Sequence, residues 1–175
     1  MEKKFIMTAF SKDRPGIVAD VTEVLYEHGC NLEDSTMTNM LDEFAIILLF
    51  TGKGDGLEER LSGDCRRLER EKGITAFIRP VEAEDRGTLS GVTARTINVE
   101  GIDQTGIVFK ISRYLATNNI NIKSLSSRRA TSPESGTALY FMEIKVQVPE
   151  PISIEQMKNG LSQVGEELNL EITLH

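Results

Sequence analysis

The chain has 175 residues, of which 39% are hydrophobic and 27% are charged, a composition typical of a globular protein that disfavours disorder and coiled coil. With 20 Lys and Arg against 27 Asp and Glu, the net charge of −7 argues against direct binding to nucleic acid, which normally requires a basic face. No run approaches the about 18 apolar residues of a membrane span, and Met1–Ile6 lacks a secretory apolar core, so we expect a cytoplasmic protein without membrane contact.

The sequence repeats itself at an offset of 90 residues. The matched pairs are Asp13 with Asp103, Gly16 with Gly106, Ile17 with Ile107, Val18 with Val108, Leu25 with Leu115 and Asn31 with Asn121. A period this long indicates a domain duplication rather than a solenoid, whose repeats are about 20–50 residues long. We therefore predict a first domain at residues 1–82, a linker at 83–93 and a second domain at 94–175.

Each repeat carries the same order of predicted elements. In the first repeat these are a strand at 5–10, a helix with an apolar stripe from Ile17 to Leu25, strands at 31–41 and 43–51, a helix through Leu57, Leu61, Cys65 and Leu68, and a strand at 74–81. In the second they are a strand around Ile97 and Val99, a helix from Ile107 to Leu115, strands at 121–130 and 137–148, a helix from Ile154 to Leu168 with a capping box at Ser153 and Gln156, and a strand at 170–174. The pattern predicts an α+β fold of two tandem ferredoxin-like βαββαβ units, each an antiparallel sheet with helices on one face.

The turn between the first strand and the first helix is the most informative segment. It reads Asp13-Arg14-Pro15-Gly16 in the first repeat and Asp103-Gln104-Thr105-Gly106 in the second. On local chemistry we favour an Asp that caps the helix by accepting a backbone N–H three residues later. The glycine needs a separate reason, because Gly lowers helix stability by about 0.8–1.0 kcal/mol relative to Ala. Either the helix crosses a strand closely, or a ligand such as a carboxylate reaches the N–H groups at the helix start, and both can hold.

Asn31 and Asn121 open the second strand of each repeat. Gly29 predicts a helix stop, so Asn31 can simply belong to the turn after the helix. A side-chain amide there can also accept from an ammonium group and donate to a carboxylate, as a zwitterionic ligand requires.

Three segments carry a resemblance to a known family: Asp13–Val18, Gly29–Ser35 and Glu43–Phe44. They resemble the ACT domains, in particular the tandem members that regulate transcription in glycine metabolism. The second repeat follows the general ACT pattern, with Thr105 where the first has Pro15. The resemblance covers essentially the whole chain. It implies that a small amino acid, glycine or serine-like, binds at an interface between ACT units.

The resemblance also implies which positions form that pocket, namely the turn before the first helix and the start of the second strand. In this sequence they are Asp13, Gly16, Ile17, Asn31 and Leu32, and in the second repeat Asp103, Gly106, Ile107, Asn121 and Ile122.

An interface is expected on physical grounds as well. The second strand lies at the edge of a ferredoxin-like sheet, and unpaired edges are usually covered or paired. Pairing residues 31–41 of one unit with the equivalent strand of another would bring the start of one second strand near the first turn of its neighbour. We therefore predict a homo-oligomer, while the neighbour stays open between the other repeat and another chain.

These features predict a non-enzymatic regulatory protein that senses an amino acid. The resemblance implies a transcriptional regulator of glycine or one-carbon metabolism that acts through a regulatory protein partner, and the acidic charge agrees with a role away from DNA. The alternative is a regulatory subunit that controls an amino-acid or one-carbon metabolic enzyme in trans.

Catalysis and RNA binding are disfavoured. Acylphosphatases share this topology, but Arg14 has Gln104 as its counterpart, and no nucleophile, base and oxyanion donors converge. RNA-recognition modules present basic and aromatic side chains, whereas Phe44–Phe50 has no Lys or Arg and is expected to be a buried strand. We expect Arg66, Arg67 and Arg70 on a solvated helix face, and treat the pair Arg128 and Arg129 as a candidate partner contact.

Cys30 and Cys65 share no CxxC spacing and have only His28 and His175 as possible companions. We therefore predict free buried thiols, no metal site and no cofactor.

Overall fold

The computed structural model describes residues 2–81 and 91–175 and divides the chain into two compact units, Met1–Arg86 and Gly87–His175. Residues 83–90 of the predicted linker lie outside the described residues. The first strand of the second unit begins at Val92, within the last residues predicted as linker, because Val92 and Thr93 already pair with a neighbouring strand.

The first unit follows the predicted βαββαβ order. Its elements are β1 (Glu2–Lys12), α1 (Ile17–Glu27), β2 (Asn31–Met40), β3 (Glu43–Lys53), α2 (Leu57–Lys72) and β4 (Thr75–Val81). The strands form an antiparallel sheet in the order β2-β3-β1-β4. The second strand is therefore an edge, as predicted.

The second unit repeats this architecture. Its elements are β5 (Val92–Ile102), α3 (Ile107–Thr117), β6 (Asn121–Thr131), β7 (Ala138–Pro149), α4 (Ile154–Leu168) and β8 (Leu170–Leu174), and its sheet order is β6-β7-β5-β8. The capping box is present, since the Ser153 hydroxyl accepts from the Gln156 N–H and the Gln156 side chain accepts from the Ser153 N–H, both at 3.1 Å. The prediction of two tandem ferredoxin-like units in an α+β fold is confirmed.

One face of each sheet packs under the two helices of its unit and holds the core. Strand side chains alternate between the two faces, so alternate residues of β1 and β3 are buried together with the apolar stripes of the helices. The largest fully buried side chains are Phe5, Met7, Phe44, Leu48, Phe50, Leu61 and Ile74 in the first unit and Ile97, Ile111, Leu115, Ile144 and Met157 in the second.

We call the opposite side of each sheet its open face. In the first unit, three rows of paired neighbours run across this face: Thr38-Ala45-Phe10-Thr75, Thr36-Ile47-Thr8-Phe77 and Asp34-Leu49-Ile6-Arg79. The prediction of a buried strand at Phe44–Phe50 is wrong for this face, because Ile47 is 49% exposed. A continuous apolar run indicates burial but does not reveal whether a second layer covers the sheet.

The open face of the second unit carries charged side chains. The rows equivalent to the first two are Arg128-Phe141-Glu100-Glu171 and Ser126-Glu143-Asn98-Thr173. They line a shallow cavity of about 350 Å³, and the Arg128 guanidinium stacks 4.4 Å from the centre of the Phe141 ring.

Both cysteines are free thiols, as predicted. Cys65 is buried, and burial raises the pKa of its thiol to about 11, with the Asp64 carboxylate adding to the shift. Cys30 is only partly buried, so the prediction of burial holds for one of the two. Within residues 2–81 and 91–175, no cluster of His, Cys, Asp and Glu side chains is arranged to hold a metal ion.

Candidate ligand-binding site

The turn before the first helix of each unit holds a glycine in a left-handed backbone conformation. Gly16 has φ 88° and Gly106 has φ 95°, values that other residues rarely adopt. A Cβ atom at Gly16 would meet only the Arg14 side chain, at 4.0 Å, and one at Gly106 would meet nothing within 4 Å. The backbone conformation therefore requires these glycines, a close helix–strand crossing does not, and the space beside them is open.

Asp13 does not cap α1, although local chemistry favoured that role. Within the part of the chain that the structure describes, no side chain caps α1 or α3, and Gly16 and Gly106 are the N-cap residues. An aspartate cap needs extended backbone directly before the helix, and here a left-handed glycine holds that place. The first N–H groups of each helix lack intrahelical acceptors and point toward the turn, where an anionic group can bind.

Asp13 and Asp103 instead connect the turn to the far end of the second strand. The Asp13 carboxylate accepts a hydrogen bond from Asn39 Nδ2 at 2.6 Å, and the Asp103 carboxylate lies 2.7 Å from Arg129 Nε. Sequence reasoning missed this pairing. The only signal for it was the repeat offset, which makes Asn39 equivalent to Arg129. Arg129, predicted as a partner contact, is thus paired within its own unit.

Ile17 and Ile107 belong to the core, with exposed fractions of 3% and 2%. Their side chains pack the first turn of each helix against the covered face of the sheet. Only their backbone groups can face a ligand.

Asn31 and Leu32 lie at the opposite end of the sheet from the turn. Asn31 pairs with Thr51 on β3, whereas the strand end next to the turn pairs with Glu43. Thr51 lies eight positions after Glu43 on this extended strand, which places the two residues about 27 Å apart. The second unit has the same layout, with Asn121 at the far end from Asp103.

Each unit therefore carries two half-sites rather than one pocket. The turn half-site comprises Asp13, Gly16 and Ile17, or Asp103, Gly106 and Ile107 in the second unit. The strand half-site comprises Asn31 and Leu32, or Asn121 and Ile122. The structure thus brings the ten predicted residues together as four separate half-sites, two in each unit.

The two strand half-sites differ in how far they are engaged. Asn121 Nδ2 donates to Gln147 Oε1 at 3.2 Å, and Ile122 packs against the core of its unit. Asn31 is exposed, and Leu32 is 44% exposed. Both asparagines are exposed, so the first unit differs in its more exposed apolar side chain, and the second in an amide that is engaged with Gln147.

A β-bulge follows the strand half-site in both units, at Glu33 and at Lys123. The Glu33 carboxylate lies 2.6 Å from Lys4 Nζ of β1, which is two strands away in the sheet. Bulges re-aim side chains and are frequent next to functional sites. No sequence pattern marked this bulge.

The turn half-sites also differ in their charged surroundings. Arg14 Nη2 lies 2.6 Å from Asp20 Oδ2, and Lys72 Nζ lies 3.1 Å from Asp20 Oδ1. These two hydrogen bonds hold the pKa of Asp20 below its ordinary value. In the second unit, Gln104 donates to the backbone carbonyl of Leu168 instead. Arg14 is therefore engaged in a surface ion pair, which explains it better than catalysis.

Comparison with known proteins identifies the first unit directly. The model of the ACT domain matches residues 3–79. A UPF0237 protein of Methanopyrus kandleri is 32% identical over 74 residues, which are 42% of this chain and 82% of that protein. The chain belongs to the ACT-domain family. Its second ACT unit is assigned by the fold that both units share.

Two further similarities extend over both ACT units. The glycine cleavage system transcriptional repressor of Escherichia coli K12 is 22% identical over 166 residues, or 95% of this chain and 86% of that protein. The crystal structure of a protein of unknown function from Galdieria sulphuraria has a TM-score of 0.82 at 26% identity, covering 100% of this chain and 98% of that one. Within residues 2–81 and 91–175, every helix is too short or too polar to span a bilayer.

Proposed function

We propose that this tandem ACT protein is a cytoplasmic regulator that senses a small amino acid, glycine or serine-like, and acts on transcription in glycine or one-carbon metabolism through a protein partner. The observation that carries the proposal is the pair of left-handed glycine turns, Gly16 and Gly106, each beside open space and a helix start without a side-chain cap. The similarity to the glycine cleavage repressor supports the regulatory role.

The chemistry of the half-sites suits a zwitterion. The N–H groups and dipole at the start of α1 favour a carboxylate, and the missing side chain of Gly16 lets it approach. An ammonium group can then be held by the carboxylate of Asp13 or the amide oxygen of Asn31. A small amino acid has few other polar atoms, so these contacts would account for most of its recognition.

The distance between the half-sites supports binding at an interface. Because the turn and strand half-sites of one unit lie about 27 Å apart, one small ligand cannot touch both. Antiparallel pairing of β2 with the edge strand of a neighbouring ACT unit would put the strand half-site of one unit beside the turn half-site of the other. The ligand would then favour the paired arrangement, and a tenfold preference corresponds to about 1.4 kcal/mol.

Regulation through a protein partner fits the charge of the chain. A net charge of −7 opposes contact with a phosphate backbone, so a DNA-binding regulator is the expected target. The residues at both half-sites supply no nucleophile with a neighbouring base, which supports a non-enzymatic role.

A thermal-shift screen of the common amino acids tests the ligand. At about 100 times its Kd, a ligand should add about 2.7 kcal/mol to the free energy of unfolding. N31A and N121A should reduce that shift while leaving the unliganded melting temperature nearly unchanged, and N159A, on an exposed position of α4, is the matched control. A shift that survives both half-site variants, or no shift with any amino acid, would contradict the proposal.

Affinity capture of the partner, with and without the ligand, tests the regulatory step. Ligand-dependent recovery of a DNA-binding regulator is the expected result. Recovery of a metabolic enzyme instead would favour control of an enzyme in trans and would leave the ligand site standing.

A further inference from the structure

The open face of the first unit is apolar across its centre. Phe10, Ile47 and Phe77 are 46%, 49% and 53% exposed, and they lie on three neighbouring strands. Ile6 and Leu49 of the third row are half-buried beside them. Contiguous apolar surface of this kind usually marks an interaction site.

We propose that this face is a dimer interface, on which a second copy of the chain packs the same open face. Two sheets that stack face to face lie about 10 Å apart with their strands within about 30° of parallel. The two-fold axis that we infer runs along the strands, between the two sheets. This axis keeps each row in register and places each strand over its mirror position, so that β2 faces β4 and β3 faces β1 of the partner copy.

The charges of the face fit this axis. Asp34 and Arg79 are the charged residues of the three central rows, and they stand at opposite ends of the same row. The two-fold axis therefore puts Asp34 of each copy opposite Arg79 of the other. Both charges gain a partner at the rim of the interface, where such pairs set orientation and specificity.

The side-chain sizes fit the same axis. It brings Phe77 opposite Thr36, Phe10 opposite Ala45, and Ile47 opposite Thr8 of the partner copy. In this register, each of the three exposed large side chains therefore meets a small side chain. Large-to-small alternation is what allows two sheet faces to interdigitate.

The area is sufficient for a weak dimer. Four strands at about 4.8 Å spacing and three rows about 6.8 Å apart give about 400 Å² per copy, or about 800 Å² in total. This is below the about 1,000 Å² of a stable specific interface, so we expect a weak, transient dimer whose association depends on protein concentration in the micromolar range or above. The open face of the second unit carries the carboxylates of Glu100 and Glu143, which would lose their hydration if they packed on this apolar surface. The open face of a second copy of the first unit avoids that cost and is the favoured partner.

This interface is separate from the proposed ligand site. It uses the open face of the sheet, whereas the half-sites lie at the two ends of the edge strand β2. The dimer can therefore fail its test while amino-acid sensing stands, and the reverse is also possible.

Sedimentation velocity on the full chain, from about 5 to 200 µM, tests the dimer. F77K should weaken self-association by more than about tenfold, because it buries a charge opposite a threonine. The matched control is T173K, which makes the same charge change at the equivalent position of the second unit and should leave self-association unchanged. Circular dichroism and melting curves check that both variants remain folded.

Charge exchange tests the axis itself. D34R and R79D should each weaken the dimer by about tenfold or more, because each places like charges opposite one another twice. The double variant D34R/R79D should restore it, since the opposite charges again face each other. Asp34 and Arg79 both lie on edge strands and are exposed, so folding should tolerate the changes.

Three results would overturn the proposal. A chain that stays monomeric over the whole concentration range has no such dimer. Self-association that is unaffected by F77K lies elsewhere on the molecule. Single variants that dissociate without rescue in D34R/R79D would exclude the axis along the strands.

Discussion

The two ACT units place opposite chemistry at the same positions of their open faces. Phe10 and Ile47 in the first unit correspond to Glu100 and Glu143 in the second. The helix-covered faces, in contrast, are apolar in both units. The fold therefore depends on one face of each sheet, and the other face is free to acquire a separate role in each unit.

The largest effects should come from the faces that the units have in common. Leu48 and Ile144 are fully buried at equivalent positions. L48A and I144A should each lower the free energy of unfolding of their own unit by about 2–5 kcal/mol, because each leaves a cavity. Hydrogen exchange resolved by unit checks this, with T8A and N98A on the open faces as controls. Equal loss of protection in both units after either change would show that they unfold together.

The glycine turns should come next in size. G16A and G106A force a side chain into φ near 90° and should each cost about 1–2 kcal/mol, measured by urea unfolding. G63A is the control, because Gly63 lies inside α2, where alanine favours the helix. If G16A and G63A change stability in the same direction, backbone conformation is not what requires the turn glycine.

The charged contacts between the helices should distinguish the units by their pH dependence. The pKa of the Asp20 carboxyl is lower in the folded state than its ordinary value of 3.8, so the ionised group stabilises the fold at pH values above 3.8. This stabilisation is lost as the pH falls through the pKa of the folded state. D20N should cost at most about 1 kcal/mol at pH 7 and flatten the acid dependence of the first unit. In the second unit, Lys110 pairs with Glu167 at 3.2 Å instead. D20N should therefore leave the dependence of that unit's stability on pH unchanged. Urea midpoints from about pH 7 to pH 2 decide this.

The smallest effect is expected on the charged open face. Glu100 and Glu171 lie directly opposite each other on neighbouring strands, an arrangement that is unfavourable. E171Q should therefore raise stability by a few tenths of a kcal/mol, and the gain should shrink at high salt. E134Q, in the hairpin loop, is the control. A gain that does not depend on salt would rule out charge repulsion as its cause.

Most of the fold could be predicted from the sequence because two independent signals agreed. The repeat offset defined the units, and the periodicities of two and 3.6 residues identified strands and helices. Phe44–Phe50 is the exception on burial, because both faces of β3 are apolar although only one is covered. The covering of a sheet is a property of the whole unit and leaves no mark on a single strand.

Less of the candidate site could be predicted. Gly16 stood out in the sequence, but the role given to Asp13 was wrong, because the left-handed conformation of the glycine moves the cap position away from the carboxylate. The partners Asn39 and Arg129 come from the far end of a strand, and their approach depends on the hairpin register. Contacts of this kind are set by tertiary structure. Whether the ten predicted residues bind a ligand stays a prediction.

The bulge at Glu33 limits what the exposed edge of the first sheet can recruit. An added strand can follow β2 without interruption only along Asp34–Met40, because the bulge breaks the hydrogen-bond ladder after Leu32. Asn31 is thereby left outside any continuous ladder. The same irregularity, with its charged side chain, obstructs the endless stacking of flat edges from which amyloid-like fibrils grow.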